Sequence, residues 1–194
     1  MPRKKRNWNP KLFYHVVMRG NNRQIIFQNE EDYAEFFRSM HYTYDRYTFH
    51  LVAYCVMNNH YHLLIRSPNE PLGKVMGTIN KRYSNYFKSK YHYRGYLYES
   101  RYFAKPAIDA KSVLAVSRYI HRNPIATKQP MVERMEHYPY SSFHLYKNNQ
   151  PHHIPYMITT LLPTLLPVLS QQTFEDYCIF CEQDDDEIES MDFL

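Results

Sequence analysis

Residues 51–65, LVAYCVMNNHYHLLI, constrain the fold more than any other stretch of this chain. Two runs rich in aliphatic, aromatic and β-branched residues, 52–57 and 60–65, flank Asn58-Asn59, so the segment reads as a β-hairpin with a tight turn. Side chains alternate along a strand. His60 and His62 therefore share one face, while Tyr61, Leu63 and Ile65 point to the other, into a core. Two imidazoles on one strand face can share a metal ion, but two hydrogen-bonded, partly buried histidines are the plainer reading, and a third element has to decide.

The flanking segments supply the rest of a sheet. Residues 12–18 (LFYHVVM) read as a first strand, broken by Arg19-Gly20-Asn21-Asn22-Arg23. That loop suits tight backbone beside phosphate and is equally compatible with a plain surface turn. Glu30 and Glu31 open a helix to about Tyr47, where Tyr33, Phe36, Phe37, Met40 and Tyr44 recur at helical spacing as a core stripe. After the hairpin, Pro68 and Pro71 mark the exit into a helix over about 72–91. Val75, Ile79, Tyr83, Tyr86 and Phe87 form its buried side, and Lys74, Lys81, Arg82, Lys88 and Lys90 form a basic face, either simply solvated or tracking phosphates.

Gly95 resets the chain, and the Tyr- and Phe-rich stretch 96–104 predicts a fourth strand. Asp109 is placed to cap a third helix that runs to Asn123, where Pro124 stops it. The order strand, helix, strand, strand, helix, strand predicts an α+β fold of the ferredoxin-like or RRM-like split βαβ kind. Its four-stranded antiparallel sheet would carry two helices on one face and show His60 and His62 on the uncovered one. Organisation then divides into a basic arm at 1–10, one domain at 11–146 and an extension at 147–194. In the later part Ser141 is placed to cap a short helix, and prolines break the apolar stretch 154–169 into turns.

Charge is unevenly distributed. The net +5 conceals nine acidic and no basic Lys or Arg side chains in residues 171–194, leaving 24 basic against 10 acidic in residues 1–170. A body this basic, with 20 Tyr and 11 Phe in the chain, offers cations for phosphates and flat rings for unpaired bases. The acidic end suits a solvated tail or a mimic of nucleic acid that covers the basic body. No apolar run reaches the ~20 residues of a membrane helix and no apolar segment follows the basic N-terminus, so a cytoplasmic protein is expected. Cys55 stands alone, and Cys178 and Cys181 form a CxxC without a second half, which favours reduced thiols over zinc.

The third helix offers what the histidines need. Tyr119 and Asn123 are four residues apart and so lie on one face, with small Ser112 and Ala115 along the same stripe. If that face packs beside the histidine strand, the Asn123 amide oxygen can complete a three-ligand site. Tyr119 then stands one turn away as a nucleophile whose phenolate a nearby cation favours.

These motifs resemble those of the HUH single-tyrosine transposases, in particular the REP-associated tyrosine transposases, named for the repetitive extragenic palindromes they accompany. The likeness rests on His60-Tyr61-His62, on Tyr119-Ile120-His121-Arg122-Asn123-Pro124, and on the segments 14–23, 95–102 and 140–143, in the same order over residues 11–146. The resemblance implies that Tyr119 is the nucleophile and that His60, His62 and Asn123 bind a divalent metal, magnesium or manganese. Asn123 stands where related insertion-sequence enzymes often have Gln. Tyr61 replaces the usual aliphatic residue between the histidines and is expected to tuck among the helices.

The implied activity is that of a metal-dependent single-stranded DNA endonuclease and strand transferase acting on hairpin-forming DNA, as a monomer or homodimer, in the bacterial cytoplasm or nucleoid. Arg19, Arg23, Lys81, Arg82 and Arg101 are the candidates for DNA contact. The alternatives are a non-catalytic DNA-hairpin binding protein and, less suited to this small chain, a replication initiator or relaxase.

Overall fold

The computed structural model describes residues 8–149, 152–167 and 171–183. The basic residues 3–6 and the acidic run that follows Gln183 lie outside them. A four-stranded antiparallel sheet organises the chain, with strands β1 (Phe13–Arg19), β2 (His50–Val56), β3 (His60–Arg66) and β4 (Phe103–Ala107) in the spatial order β2-β3-β1-β4. Helices α1 (Glu30–Tyr44) and α2 (Leu72–Lys90) link strands in the predicted βαββαβ order, which gives the split βαβ fold.

Local chemistry explains the elements. The Asn29 side chain accepts the Asp32 amide at the start of α1, and Glu30, Glu31 and Asp32 sit at its positive end. Asp109 and Ser112 form a reciprocal capping box at the start of α3 (Ala110–Arg122). The hairpin forms as read, with Cys55 opposite His62 and Val56 opposite Tyr61.

Tyr61, Leu63 and Ile65 are fully buried on the α1/α2 side of the sheet. There the Tyr61 ring packs 4.7 Å from that of Phe36, and its hydroxyl donates to Asn80 Oδ1 at 2.6 Å. A tyrosine is tolerated between the histidines because α2 supplies that acceptor.

Two expectations are corrected. The fourth strand is residues 103–107, not 96–104. The tyrosine-rich stretch before it is an irregular segment whose backbone serves the loop after β1: Asn21 N–H donates to Leu97 O at 2.9 Å and Glu99 N–H to Arg19 O at 3.1 Å. Aromatic content marked β-propensity there, whereas the true strand, FAKPA, is short and contains Pro106, which an edge strand accommodates.

The second face of the sheet is not bare, since α3 packs across it against β2, β3 and β4 through buried Val113, Leu114 and Ile120. The expected cap of α4 (Phe143–Lys147) is present, with the Ser141 hydroxyl accepting Phe143 N–H at 3.3 Å, while Ser142, the residue next to the helix, makes no side-chain cap. Ser142 instead uses its hydroxyl to accept Tyr54 N–H at 2.8 Å.

The later part of the chain completes the same core. After the one-turn α5 (Leu161–Thr164), α6 (Phe174–Glu182) buries Tyr177, Cys178 and Cys181, and all three cysteines are free thiols. Arg122 of α3 donates to the carbonyls of Cys181 at 3.0 Å and Gln183 at 2.8 Å, and Arg118 donates to Phe180 O at 3.1 Å. These bonds satisfy the open carbonyls at the end of α6 and tie it to α3.

Candidate active site on the sheet

The register of the sheet assembles the site. Val17 is opposite His62, Arg19 opposite His60, and His15 opposite Leu64, so His15, Val17 and Arg19 of β1 share the face of His60 and His62. The rings of His60 and His62 are 4.9 Å apart. α3 brings Tyr119 over them, edge-on to His62 at 5.5 Å and to His15 at 5.7 Å between ring centroids. The expected pairing of the histidine strand with the tyrosine helix is therefore present.

Exposure singles out this tyrosine. All 20 tyrosines lie in described residues, and only Tyr96 and Tyr119 are exposed, at 84% and 54%. Tyr83 is buried with its hydroxyl donating to Ile26 O, and Tyr86 donates to Asp32 at 3.0 Å. Both belong to α2, across the sheet from the histidines.

The two histidines are neutral, each with Nδ1 engaged by a neighbour. His60 Nδ1 is 2.6 Å from Asn59 Oδ1, and His62 Nδ1 is 2.9 Å from His15 Nε2. Among the described residues no hydrogen bond uses Nε2 of either ring. A carbonyl oxygen can only accept, so His60 carries its proton on Nδ1 and presents the lone pair of Nε2. Burial, followed by Arg19, pushes His60 down to about 4. Burial, then His60, His15 and Arg19, push His62 down to about 2. Both are unprotonated at neutral pH, which metal binding requires.

Asn123 caps α3, and its amide nitrogen donates to Tyr119 O at 2.7 Å, which leaves the amide oxygen for another partner. No cluster of three His, Cys, Asp or Glu side chains able to hold a metal occurs among the described residues. The donors this face offers a divalent ion are Nε2 of His60 and of His62, and the Asn123 amide oxygen at the end of α3 is the third candidate. Two imidazoles favour manganese or another transition metal over magnesium.

The basic candidates separate into groups. Arg19 and Arg101 line one cleft beside the histidines. Arg23 sits in the loop that Asn59 grips, with Asn59 Nδ2 donating to Arg23 O at 3.2 Å. Lys81 and Arg82 lie on α2 behind the sheet, where the Arg82 guanidinium stacks 3.6 Å from the centre of the Tyr42 ring. The structure does not bring these two to the site.

His15 is the residue the sequence reading missed. It lay inside a run read as a plain strand, and its only available signal was its parity with Val17 and Arg19 at the strand end. Burial, then Lys105, push it down to about 4, so it too is neutral.

The family sequence pattern described as "Transposase IS200 like" matches residues 9–123, more than half of the chain. The chain belongs to this IS200-like transposase family. It is 28% identical over 150 residues to a Haemophilus influenzae protein named as a REP-associated tyrosine transposase, covering 68% of this chain and 78% of that one. Among solved structures, a REP-associated tyrosine transposase bound to a REP hairpin superposes with a TM-score of 0.64 at 17% identity, covering 79% of this chain and 90% of the other. That likeness establishes the shared fold. No helix among the described residues is long and apolar enough to cross a membrane.

Proposed function

We propose that this transposase-family protein is a metal-dependent single-stranded DNA endonuclease and strand transferase that forms a 5′-phosphotyrosine at Tyr119 on hairpin-forming DNA. The observation that carries the reading is the exposed Tyr119 ring set edge-on, 5.5 Å away, against a neutral His62. The relative that superposes was solved on a hairpin of the repetitive palindrome, which supports hairpin DNA as the substrate class.

His60 and His62 would hold the divalent ion through Nε2, and Asn123 through its amide oxygen. When bound, the ion supplies positive charge that polarises the scissile phosphate. His15 and Asn59 hold the two imidazoles by their Nδ1 edges, so that both rings keep one orientation through the reaction. Arg19, opposite His60, adds a cation for the phosphate backbone.

Tyr119 Oη attacks phosphorus. The Oη–P bond forms as the P–O3′ bond breaks, the phenol proton passes to solvent, and O3′ leaves as a hydroxyl after gaining a proton. Attack by an acceptor 3′-hydroxyl reverses the sequence and releases Tyr119.

The test is to incubate labelled single-stranded hairpin DNA with Mn²⁺ and separate the products under denaturing conditions. Wild type, Tyr83→Phe and Tyr86→Phe are expected to yield covalent protein–DNA adduct, and Tyr119→Phe none. Adduct persisting in Tyr119→Phe overturns the assignment. Metal-independent hairpin binding without any adduct would favour the non-catalytic binding protein instead.

A further inference from the structure

A cleft of about 290 Å³ opens beside the histidines, lined by Val17, Arg19, Glu99, Ser100, Arg101 and Phe103. It lies at the lower end of the size range of small-ligand sites, which suits one flat ring system. Its place in the sheet is fixed by register: His62 is opposite Val17, and Val17 is opposite Phe103, so the three side chains form one row on one face. Two interstrand spacings separate Phe103 from His62, roughly 10 Å. That is a short reach along a single strand from a phosphate held at the histidines.

Phe103 is 56% exposed on an edge strand, although an apolar ring gains nothing from water there. Among the described residues β4 pairs with β1 on one side only, and Pro106 and Lys105 discourage a further strand on the other. Another β-strand is therefore a poor occupant. The cleft is also more than a phosphate site, because it contains the Glu99 carboxylate together with Arg19 and Arg101. A carboxylate repels a phosphate but accepts from the ring and amino N–H groups of a base. A ring to stack on, two cations for the flanking backbone and one acceptor for a base edge together match an unpaired nucleotide.

We infer that Phe103 is the stacking platform of a nucleobase subsite that holds one unpaired base of the DNA strand next to the scissile phosphate. The inference rests on the reading of Tyr119 and the histidines as a DNA-processing site. Arg19 and Arg101 grip the backbone on either side of that base, and Glu99 and Ser100 face its polar edge. The subsite thereby sets which phosphate of the strand reaches Tyr119.

The experiment uses a labelled DNA hairpin with a single-stranded flank of fixed sequence, and a series in which one abasic residue is walked along the flank. Affinity is measured by anisotropy and adduct formation on the same samples. With intact DNA, Phe103→Ala is expected to bind about tenfold more weakly, and Phe103→Trp to restore binding, as base–aromatic stacking predicts. At one flank position the abasic residue should weaken wild type by a similar factor and leave Phe103→Ala unaffected. Equal binding of Phe103→Ala and wild type, or a Phe103→Ala loss that is the same at every abasic position, overturns the subsite. The two readings fail separately. Adduct with indifference to Phe103 removes the subsite alone, whereas Phe103-dependent binding without adduct removes the chemistry and leaves the base site standing.

Discussion

The two faces of the sheet use the same residue types for opposite ends. Behind it, α1 and α2 enclose Tyr61, Tyr83 and Phe36, and four tyrosine hydroxyls there bond within the protein: Tyr61 to Asn80, Tyr83 to Ile26 O, and Tyr86 and Tyr91 to Asp32. In front, α3 covers the sheet only in part. Tyr119, Phe103 and Arg19 stay exposed, and among the described residues Nε2 of His60 and of His62 takes part in no hydrogen bond. A satisfied tyrosine stabilises the fold. An exposed tyrosine beside neutral imidazoles has chemistry left to do.

This contrast predicts that substitutions divide cleanly between stability and activity. The largest stability effect belongs to the back face: Phe36→Ala, which empties a fully buried site among aromatic rings, should lower unfolding free energy by about 3–5 kcal/mol in denaturant titrations. Tyr119→Phe, exposed and free of such packing, should change it by less than about 0.5 kcal/mol. A Tyr119→Phe protein as unstable as Phe36→Ala would break the comparison.

Next in size is a pH effect at Asp32, whose side chain is fully enclosed. Burial alone would raise its carboxyl. Bonds from Lys90, the Gln28 amide, Tyr91 and Tyr86 outweigh burial and hold the carboxyl below the usual carboxylate range. A depressed folded pKa means that the stabilisation is present above the unfolded value of about 3.9 and is lost as pH falls through the folded one. Asp32→Asn should therefore cost about 2 kcal/mol at pH 7 and flatten the loss of stability on acidification below about pH 4. An unchanged acid limb would contradict this role for Asp32.

On the front face, His15 tests whether an imidazole can serve by holding another. Removing the 2.9 Å contact with His62 Nδ1 in His15→Ala should weaken Mn²⁺ binding about tenfold by calorimetry, with stability nearly unchanged and partial rescue in His15→Gln. Unaltered metal affinity would leave His15 as packing alone.

Much of this was legible from the sequence because it is local. The Asn58-Asn59 turn, the alternation that sends Tyr61 inward and His62 outward, and the Asp109 cap each depend on a few neighbouring residues. Tyr119 and Asn123 shared a helix face by spacing alone. What could not be read depends on register between distant strands: His15 reaches His62 only because Val17 pairs with His62, and Phe103 joins the row only because β4 starts later than its aromatics suggested. Lys81 and Arg82 matched the site in charge, but helix phase and layer place them behind the sheet. Arg118 and Arg122 reach carbonyls at the end of α6, about sixty residues further along the chain.

Tyr119 is the tyrosine proposed to take the strand. Its most direct test is to trap the adduct formed with hairpin DNA and Mn²⁺, digest protein and DNA, and locate the residual 5′-nucleotide by mass spectrometry. Modification is expected on Tyr119 alone. A nucleotide on Tyr96, the other exposed tyrosine, would contradict it.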